Sequence, residues 1–319
     1  MSPTNIYLPA STPAQWVFDL SIMVYVITGA IFVTVFTLLV YSIVKFRKRK
    51  GDDAREPAQV YGSKQIELAW TVIPILIIVV LFLSTARVIA LSSRPITDPN
   101  ALHVSVVGHQ YWWEYRYPGT GVVTANELHI PASDPAHPVP TVLHLYSADT
   151  DHSFWVPRLA GKTDLIPNFP NTMWFDPHEP GLYLGQCAQY CGVQHAKMLL
   201  RVYVDSREDF AKWLEAQKQP PPVPAPGGTV AEGKKIFESN TCMSCHAVAG
   251  TPATGRFGPD LTHLMSRDTL AAGIIPNNRE NLRGWIKEPN AYKPGALMPA
   301  MGLDDKELDA VTDYLLTLR

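Results

Sequence analysis

Histidine is missing from the first hundred residues of this chain: all ten lie at position 103 or later. No imidazole-held metal or haem can therefore sit in the N-terminal third. Lys and Arg are missing from residues 1–14, which removes the basic start of a secretory signal. Excess charge of either sign is missing too. The net charge of −2 offers no basic field for nucleic acid, and no nucleic-acid partner is expected. Cysteine is scarce, with four residues in two close pairs. Neither spacing is that of a disulfide framework. Each pair is followed by a His and has a Met within range, which favours metal or cofactor work over stapling.

Charge is nearly absent from two long runs. Trp16 to Val44 carries only Asp19, and Leu68 to Leu91 carries only Arg87. Each exceeds the roughly 20 residues that span a bilayer as a helix, so membrane lipid is an expected partner. The first run is too long for a signal peptide and is expected to be a retained span. Between the runs lie Lys45, Arg47, Lys48, Arg49, Lys50, Arg55 and Lys64. A basic loop stays in the cytoplasm. Both termini, and everything after about residue 92, are then expected on the outer side of the membrane. Glu67 falls at the cytoplasmic mouth of the second span. A carboxylate there either stabilises a helix N-terminus or serves in proton uptake.

Residues 101–204 predict strands. Leu102–Val107, Thr141–Tyr146 and Leu199–Val204 are short alternating or β-branched runs. Turn residues such as Tyr117-Pro118-Gly119 and His178-Glu179-Pro180-Gly181 separate such runs, as in a sandwich or barrel. Between the last two strands come Cys187, Cys191, His195 and Met198. Thiolate, imidazole and thioether form a soft set that suits copper. Zinc sites use CxxC knuckles and not Met, and a blue-copper site uses one Cys, not two. A second His must come from elsewhere, and His152 in Asp151-His152-Ser153-Phe154-Trp155-Val156-Pro157 is the candidate.

A proline cluster, Gln219–Gly228, then breaks the chain and reads as a semi-rigid spacer. The last ~90 residues predict helices. Ala231–Phe237 leads into Cys242-Met-Ser-Cys245-His246, the haem c attachment pattern, with Cys242 and Cys245 as thioether donors and His246 as iron ligand. The second axial ligand is expected about 50 residues on. Met298, in Lys293-Pro294-Gly295-Ala296-Leu297-Met298-Pro299, is preferred and Met301 is its rival. Leu303 to Leu316 has apolar positions at helical spacing behind Asp304 and Asp305.

Over about residues 15–215 the chain resembles subunit II of haem–copper cytochrome c oxidases. The motifs are Asp151–Pro157, Gly161–Pro167, Gly185–Met198, the two spans and the aromatic run Gly108–Tyr115. The end resembles a class I cytochrome c. The resemblance implies a fold of three parts: a hairpin of two transmembrane helices, an all-β cupredoxin-like barrel and an all-α cytochrome c domain. Expected boundaries are 1–98 (spans 16–44 and 68–91), 99–215, a linker at 216–228, and 229–319.

The resemblance also implies a binuclear copper A held by His152, Cys187, Cys191, His195, Met198 and the main-chain carbonyl of Gln189, and a haem c. Glu67 would lie at the entrance of a proton path shared with subunit I. Subunit III and a cytochrome c or bc-type donor complex are further implied partners, in a bacterial inner membrane. Two positions depart from the family pattern. Gln189 stands where a magnesium-binding Glu is usual, and a neutral amide is a poorer ligand for that ion. Tyr111 stands where an electron-accepting Trp is usual, with Trp112 and Trp113 beside it. With no histidine in either span, the chain is expected to relay electrons while another subunit reduces oxygen.

Overall fold

The computed structural model describes residues 4–48, 59–136 and 138–319. Arg49, Lys50 and Arg55 of the basic stretch lie outside these. Two units are separate, residues 15–94 and the remainder.

The first unit is a pair of helices, α1 (Thr12–Lys45) and α2 (Lys64–Ser92). Both are long and apolar enough to cross a membrane, and their apolar windows bury nothing against protein. Such side chains need lipid around them. Each helix runs a few residues past the apolar run that predicted it. Hydroxyls inside them, such as Thr28 and Thr34, bond back to carbonyls one turn earlier, which pairs those hydroxyls within lipid. Glu67 stands in the first turn of α2, with its amide on the Ser63 carbonyl at 2.9 Å.

In the second unit ten strands come first: β1 (Leu102–His109), β2 (Trp112–Tyr117), β3 (Val122–Ala125), β4 (Glu127–Pro131), β5 (Thr141–Ser147), β6 (His152–Trp155), β7 (Thr163–Leu165), β8 (Asn171–Phe175), β9 (Gly181–Cys187) and β10 (Leu199–Asp205). They form two sheets, ordered β3-β2-β1-β5-β8 and β4-β10-β9-β6-β7. The pairings β1–β5 and β4–β10 are parallel and the rest antiparallel. Inward residues Val104, Trp113, Tyr115, Leu143, Phe154 and Phe175 fill the space between the sheets and are wholly buried or nearly so. Helix α3 (Arg207–Gln217), capped by Ser206 on the Asp209 amide, follows β10.

Past the proline segment come α4 (Gly228–Ser239), α5 (Cys242–Cys245), a two-strand turn of β11 (Thr269–Leu270) and β12 (Ile275–Pro276), then α6 (Arg279–Lys287), α7 (Pro289–Tyr292) and α8 (Asp305–Leu315). Asp304 caps α8 in a full capping box with Glu307, which fixes where that helix starts. Helices α4 and α8 cross at Gly233, where a Cβ would meet the Ala310 carbonyl oxygen at 1.9 Å. Only glycine permits that approach, and it sets Phe237 against Tyr314 with ring centroids 5.7 Å apart.

Candidate metal and haem sites

The strand ends deliver the sulfur atoms. Cys187 is the last residue of β9, and its amide bonds the Met198 carbonyl at 3.0 Å just before β10. The loop between them turns back over Cys191 and His195. His152 opens β6, which pairs with β9 beside Cys187. Five sequence-predicted side chains thus converge. Cys187 Sγ lies 3.9 Å from Cys191 Sγ, 3.9 Å from His152 Nδ1 and 3.2 Å from the Gln189 carbonyl oxygen. Cys191 Sγ lies 3.8 Å from His195 Nδ1 and 3.8 Å from Met198 Sδ. His152, Cys187 and Cys191 offer ligand atoms all within 4.8 Å of one another, and all three are buried.

A sulfur separation near 4 Å is about twice a disulfide bond length, and both thiols are free. Two sulfurs, two imidazole nitrogens, a thioether and a carbonyl around one point form a soft donor set that fits copper. The two thiols also shift each other in opposite directions. A hydrogen bond from Cys191, with help from His152, pulls the Cys187 thiol far below its ordinary pKa despite burial. Its hydrogen bond to Cys187, together with burial, pushes Cys191 up. Asp149 Oδ1 bonds His152 Nε2 at 2.8 Å, leaving Nδ1 toward the sulfurs. Burial opposes charge on His152, but its bonds to Asp149 and Cys187 outweigh burial and raise its pKa. Asp149 also takes the Gln110 amide at 2.6 Å, and Gln110 Nε2 reaches the Cys191 carbonyl at 2.6 Å. Asp149 and Gln110 were not legible as site residues, although a carboxylate three positions before a ligand His is a usable signal.

In the cytochrome domain, His246 follows α5 and its Nδ1 donates to the Pro259 carbonyl at 2.7 Å. That bond fixes the tautomer and leaves Nε2 as the free ligand atom. Burial lowers the pKa of His246, which keeps the ring neutral. Gly258 lies flat on the imidazole, where a Cβ would come within 2.5 Å of Cε1. Cys242, Cys245, His246, Met298 and Met301 all line one cavity of about 340 Å³, with Phe237, Leu282, Trp285 and Ile286. The Met301 sulfur accepts the Thr241 hydroxyl at 3.8 Å.

Two buried cations border the same cavity. Arg267 is 7% exposed, donates Nη2 to the Asp260 carbonyl and leaves Nε unpartnered. Lys293 is 4% exposed, and burial together with Lys197 pushes its ammonium down to about 8. An apolar slot edged by cationic groups fits a porphyrin with its carboxylates. The cavity wall is shared: Gln110, Tyr111, Trp112 and Asn126 of the β domain line it as well.

That shared wall belongs to a dense seam between the two domains. Glu127 of β4, 2% exposed, accepts the amides of Asp268 and Thr269 at 2.9 Å each and the Thr269 hydroxyl at 2.5 Å. Bonds to a charged acceptor contribute roughly 1.5–3 kcal/mol each. Tyr203 donates to Asp268 at 2.6 Å, and Gln217 to Ser266 at 3.1 Å. Lys293 Nζ reaches the Tyr111 carbonyl at 3.2 Å, Lys197 Nζ reaches the Tyr292 carbonyl at 3.0 Å, and Gln194 donates to the Pro294 carbonyl. The three aromatics divide their tasks. Trp113 turns inward and meets the His152 ring edge-on at 6.0 Å. Trp112 turns outward and packs with Ala125 and Ala272. Tyr111 points its hydroxyl at Gly192 of the cysteine loop.

Fold and sites together define a membrane-anchored redox protein with a soft-metal centre in a β domain and a c-type haem domain behind it. Three family models match: Cytochrome C oxidase subunit II, transmembrane domain, over residues 2–88; the periplasmic domain of the same subunit over 102–204; and Cytochrome c over 230–319. Cytochrome c oxidase subunit 2 of Alkalihalophilus pseudofirmus is 34% identical over 98% of this chain and 90% of its own length. The Bacillus subtilis protein of the same name is 32% identical over 98% and 90%. The crystal structure of the periplasmic domain of subunit II from Bradyrhizobium japonicum is 28% identical, covering 39% of this chain and 96% of its own, with a TM-score of 0.35. The chain belongs to the cytochrome c oxidase subunit II family, as a membrane protein with a cupredoxin-like domain and a cytochrome c domain. Membership implies copper A in the first, haem c in the second, and a complex with subunit I.

Proposed function

We propose that the chain is the electron-receiving subunit of a proton-pumping respiratory oxidase. Bound haem c and binuclear copper A would supply one-electron steps between a reduced cytochrome c or bc-type complex and subunit I, where oxygen becomes water. The observation that carries this reading is the ring of donors at 3.2–3.9 Å about Cys187 and Cys191.

Cys187, Cys191, His152, His195, Met198 and the Gln189 carbonyl would hold the copper centre. Asp149 keeps the His152 ring turned toward them. Cys242 and Cys245 would hold the porphyrin by thioether bonds, and His246 Nε2 and Met298 would ligate its iron. Trp113, edge-on to His152, and Tyr111 and Trp112, on the cavity wall, would be the aromatics that carry electrons between the sites. The basic residues between α1 and α2 support a cytoplasmic loop, with both termini and both soluble domains on the periplasmic side of a bacterial inner membrane. Glu67, at the cytoplasmic mouth of α2, would open a proton path toward subunit I, and subunit III would complete the complex.

Metal analysis of the purified complex tests the reading. About two copper atoms to one iron per chain are expected, with an electron spin resonance signal shared between two copper nuclei. Zinc in place of copper would overturn it. Oxygen uptake from a reduced cytochrome c should follow copper content.

A further inference from the structure

Alternation fails along β2. Trp113, Tyr115 and Tyr117 face the sandwich core, and a solvated sheet would expose the opposite residues. Yet Trp112 and Glu114 on that face are 7% and 5% exposed. The cytochrome domain covers them. Ala272 sits on Trp112 and Ala125, and a second cavity, about 310 Å³, lies between Glu114, Arg116 and Val123 on one side and Ala247–Gly258 on the other.

The covering domain is matched to this face by its hydrogen bonds. Glu127 buries a carboxylate at the seam, and all three donors to it come from the cytochrome domain, at Asp268 and Thr269. The Arg267 guanidinium next to those donors is buried as well. Lys293 and Lys197 cross the seam in opposite directions to the carbonyls of Tyr111 and Tyr292. These contacts flank the haem cavity on two sides.

The connecting segment 218–227 cannot supply such a fixed geometry. A Pro-rich spacer extends by about 3 Å per residue and holds its ends only within reach of each other. Contact between the domains begins before the segment does, at Gln217, the last residue of α3.

We infer that Glu127 is a positioning residue that clamps the cytochrome domain on the β domain, so that the seam, not the linker, sets the spacing of the two redox sites and closes the Tyr111–Trp112 face to any soluble carrier. A tethered domain that docks and leaves would depend on linker length, whereas a clamped one does not. The electron-transfer arm of the test rests on the haem c and copper A reading. The retention arm does not.

The retention arm uses the whole detergent-solubilised complex with a protease site placed in 218–227. After cleavage and gel filtration, the wild-type complex should keep its cytochrome domain. The cleaved Glu127→Ala complex should lose at least half of it. Loss from the wild type, or equal retention by the variant, would overturn the clamp. The second arm doubles the 218–227 segment and follows electron transfer between the sites after rapid reduction. If the linker governs, the rate falls roughly threefold, since effective concentration drops as about the −3/2 power of length. The clamp predicts no change in the wild type and that threefold fall in Glu127→Ala, with the c-type band and the copper resonance unaltered in both. A length-dependent wild type refutes the clamp. If the bands are absent from the wild type, it is the metal reading that fails, and the retention arm still decides. Should Glu127→Ala not load its sites, Thr269→Val, which deletes one of the three donors, takes its place in both arms with the same expected directions.

Discussion

Asp149 holds Nε2 of His152 at 2.8 Å, and Nδ1 of the same ring faces Cys187 Sγ at 3.9 Å. The carboxylate touches no expected metal ligand but His152, and it decides which nitrogen that ring presents. Removing such an outer partner costs about 10- to 100-fold in metal affinity. Asp149→Ala should therefore release copper to a graded chelator at 10- to 100-fold lower chelator strength, while the c-type band stays constant.

His246 depends on a missing methyl group. An alanine at 258 would drive its Cβ to within 2.5 Å of the ring. Gly258→Ala should displace the imidazole and give a high-spin or poorly attached haem. The optical spectrum of the purified complex checks this, and the copper resonance should remain. His246→Ala is the stronger form and should abolish the c-type band.

Met298 and Met301 border the same cavity, but the Met301 sulfur is engaged by Thr241. Met298→Leu should yield five-coordinate haem with a lowered potential, because thioether ligation favours reduced iron. Met301→Leu should leave both properties in place. Redox titration with optical detection separates the two.

The α4–α8 crossing tolerates nothing larger than glycine at 233, where a Cβ would overlap the Ala310 carbonyl oxygen. Overpacking of this kind costs about 1–3 kcal/mol or more. Gly233→Ala should lower the unfolding temperature of the haem domain and the fraction of chains that carry haem. Differential scanning calorimetry with haem quantification checks both.

Glu114 shows the pH dependence of the β domain. Burial opposes its charge, but the close His109 imidazole and the Arg116 guanidinium outweigh that and lower its pKa from 4.5. The folded value lies below the unfolded one. The carboxylate therefore stabilises fully above about 4.5, and its contribution fades as pH falls through the folded value. Thermal unfolding of wild type and Glu114→Gln should differ near neutrality and converge in acid as the pH falls through the folded value.

The parts that sequence made legible are those where one residue type forces one outcome. Apolar runs of that length with a single charge point to lipid-facing helices. Cys187, Cys191, His195 and Met198 announce soft-metal chemistry by composition and closeness. His152 needed the fold to bring β6 beside β9. The seam left no such mark. Glu127 contacts backbone amides at 268 and 269, and amides belong to every residue. Lys293 reads as an ordinary surface lysine in a proline loop, and only its burial against Tyr111 shows otherwise. Trp112 and Trp113 were expected together as one aromatic feature. The pleat sends them to opposite faces, one into the core and one under the cytochrome domain.

The wall that Gln110, Tyr111, Trp112 and Asn126 lend to the haem cavity has a consequence for how the chain is made. Cys242 and Cys245 open into a space that is finished only when the β domain stands across it. Haem attachment ahead of docking is therefore the expected order of assembly, because the β domain closes the cavity along Gln110, Tyr111, Trp112 and Asn126 once it stands there.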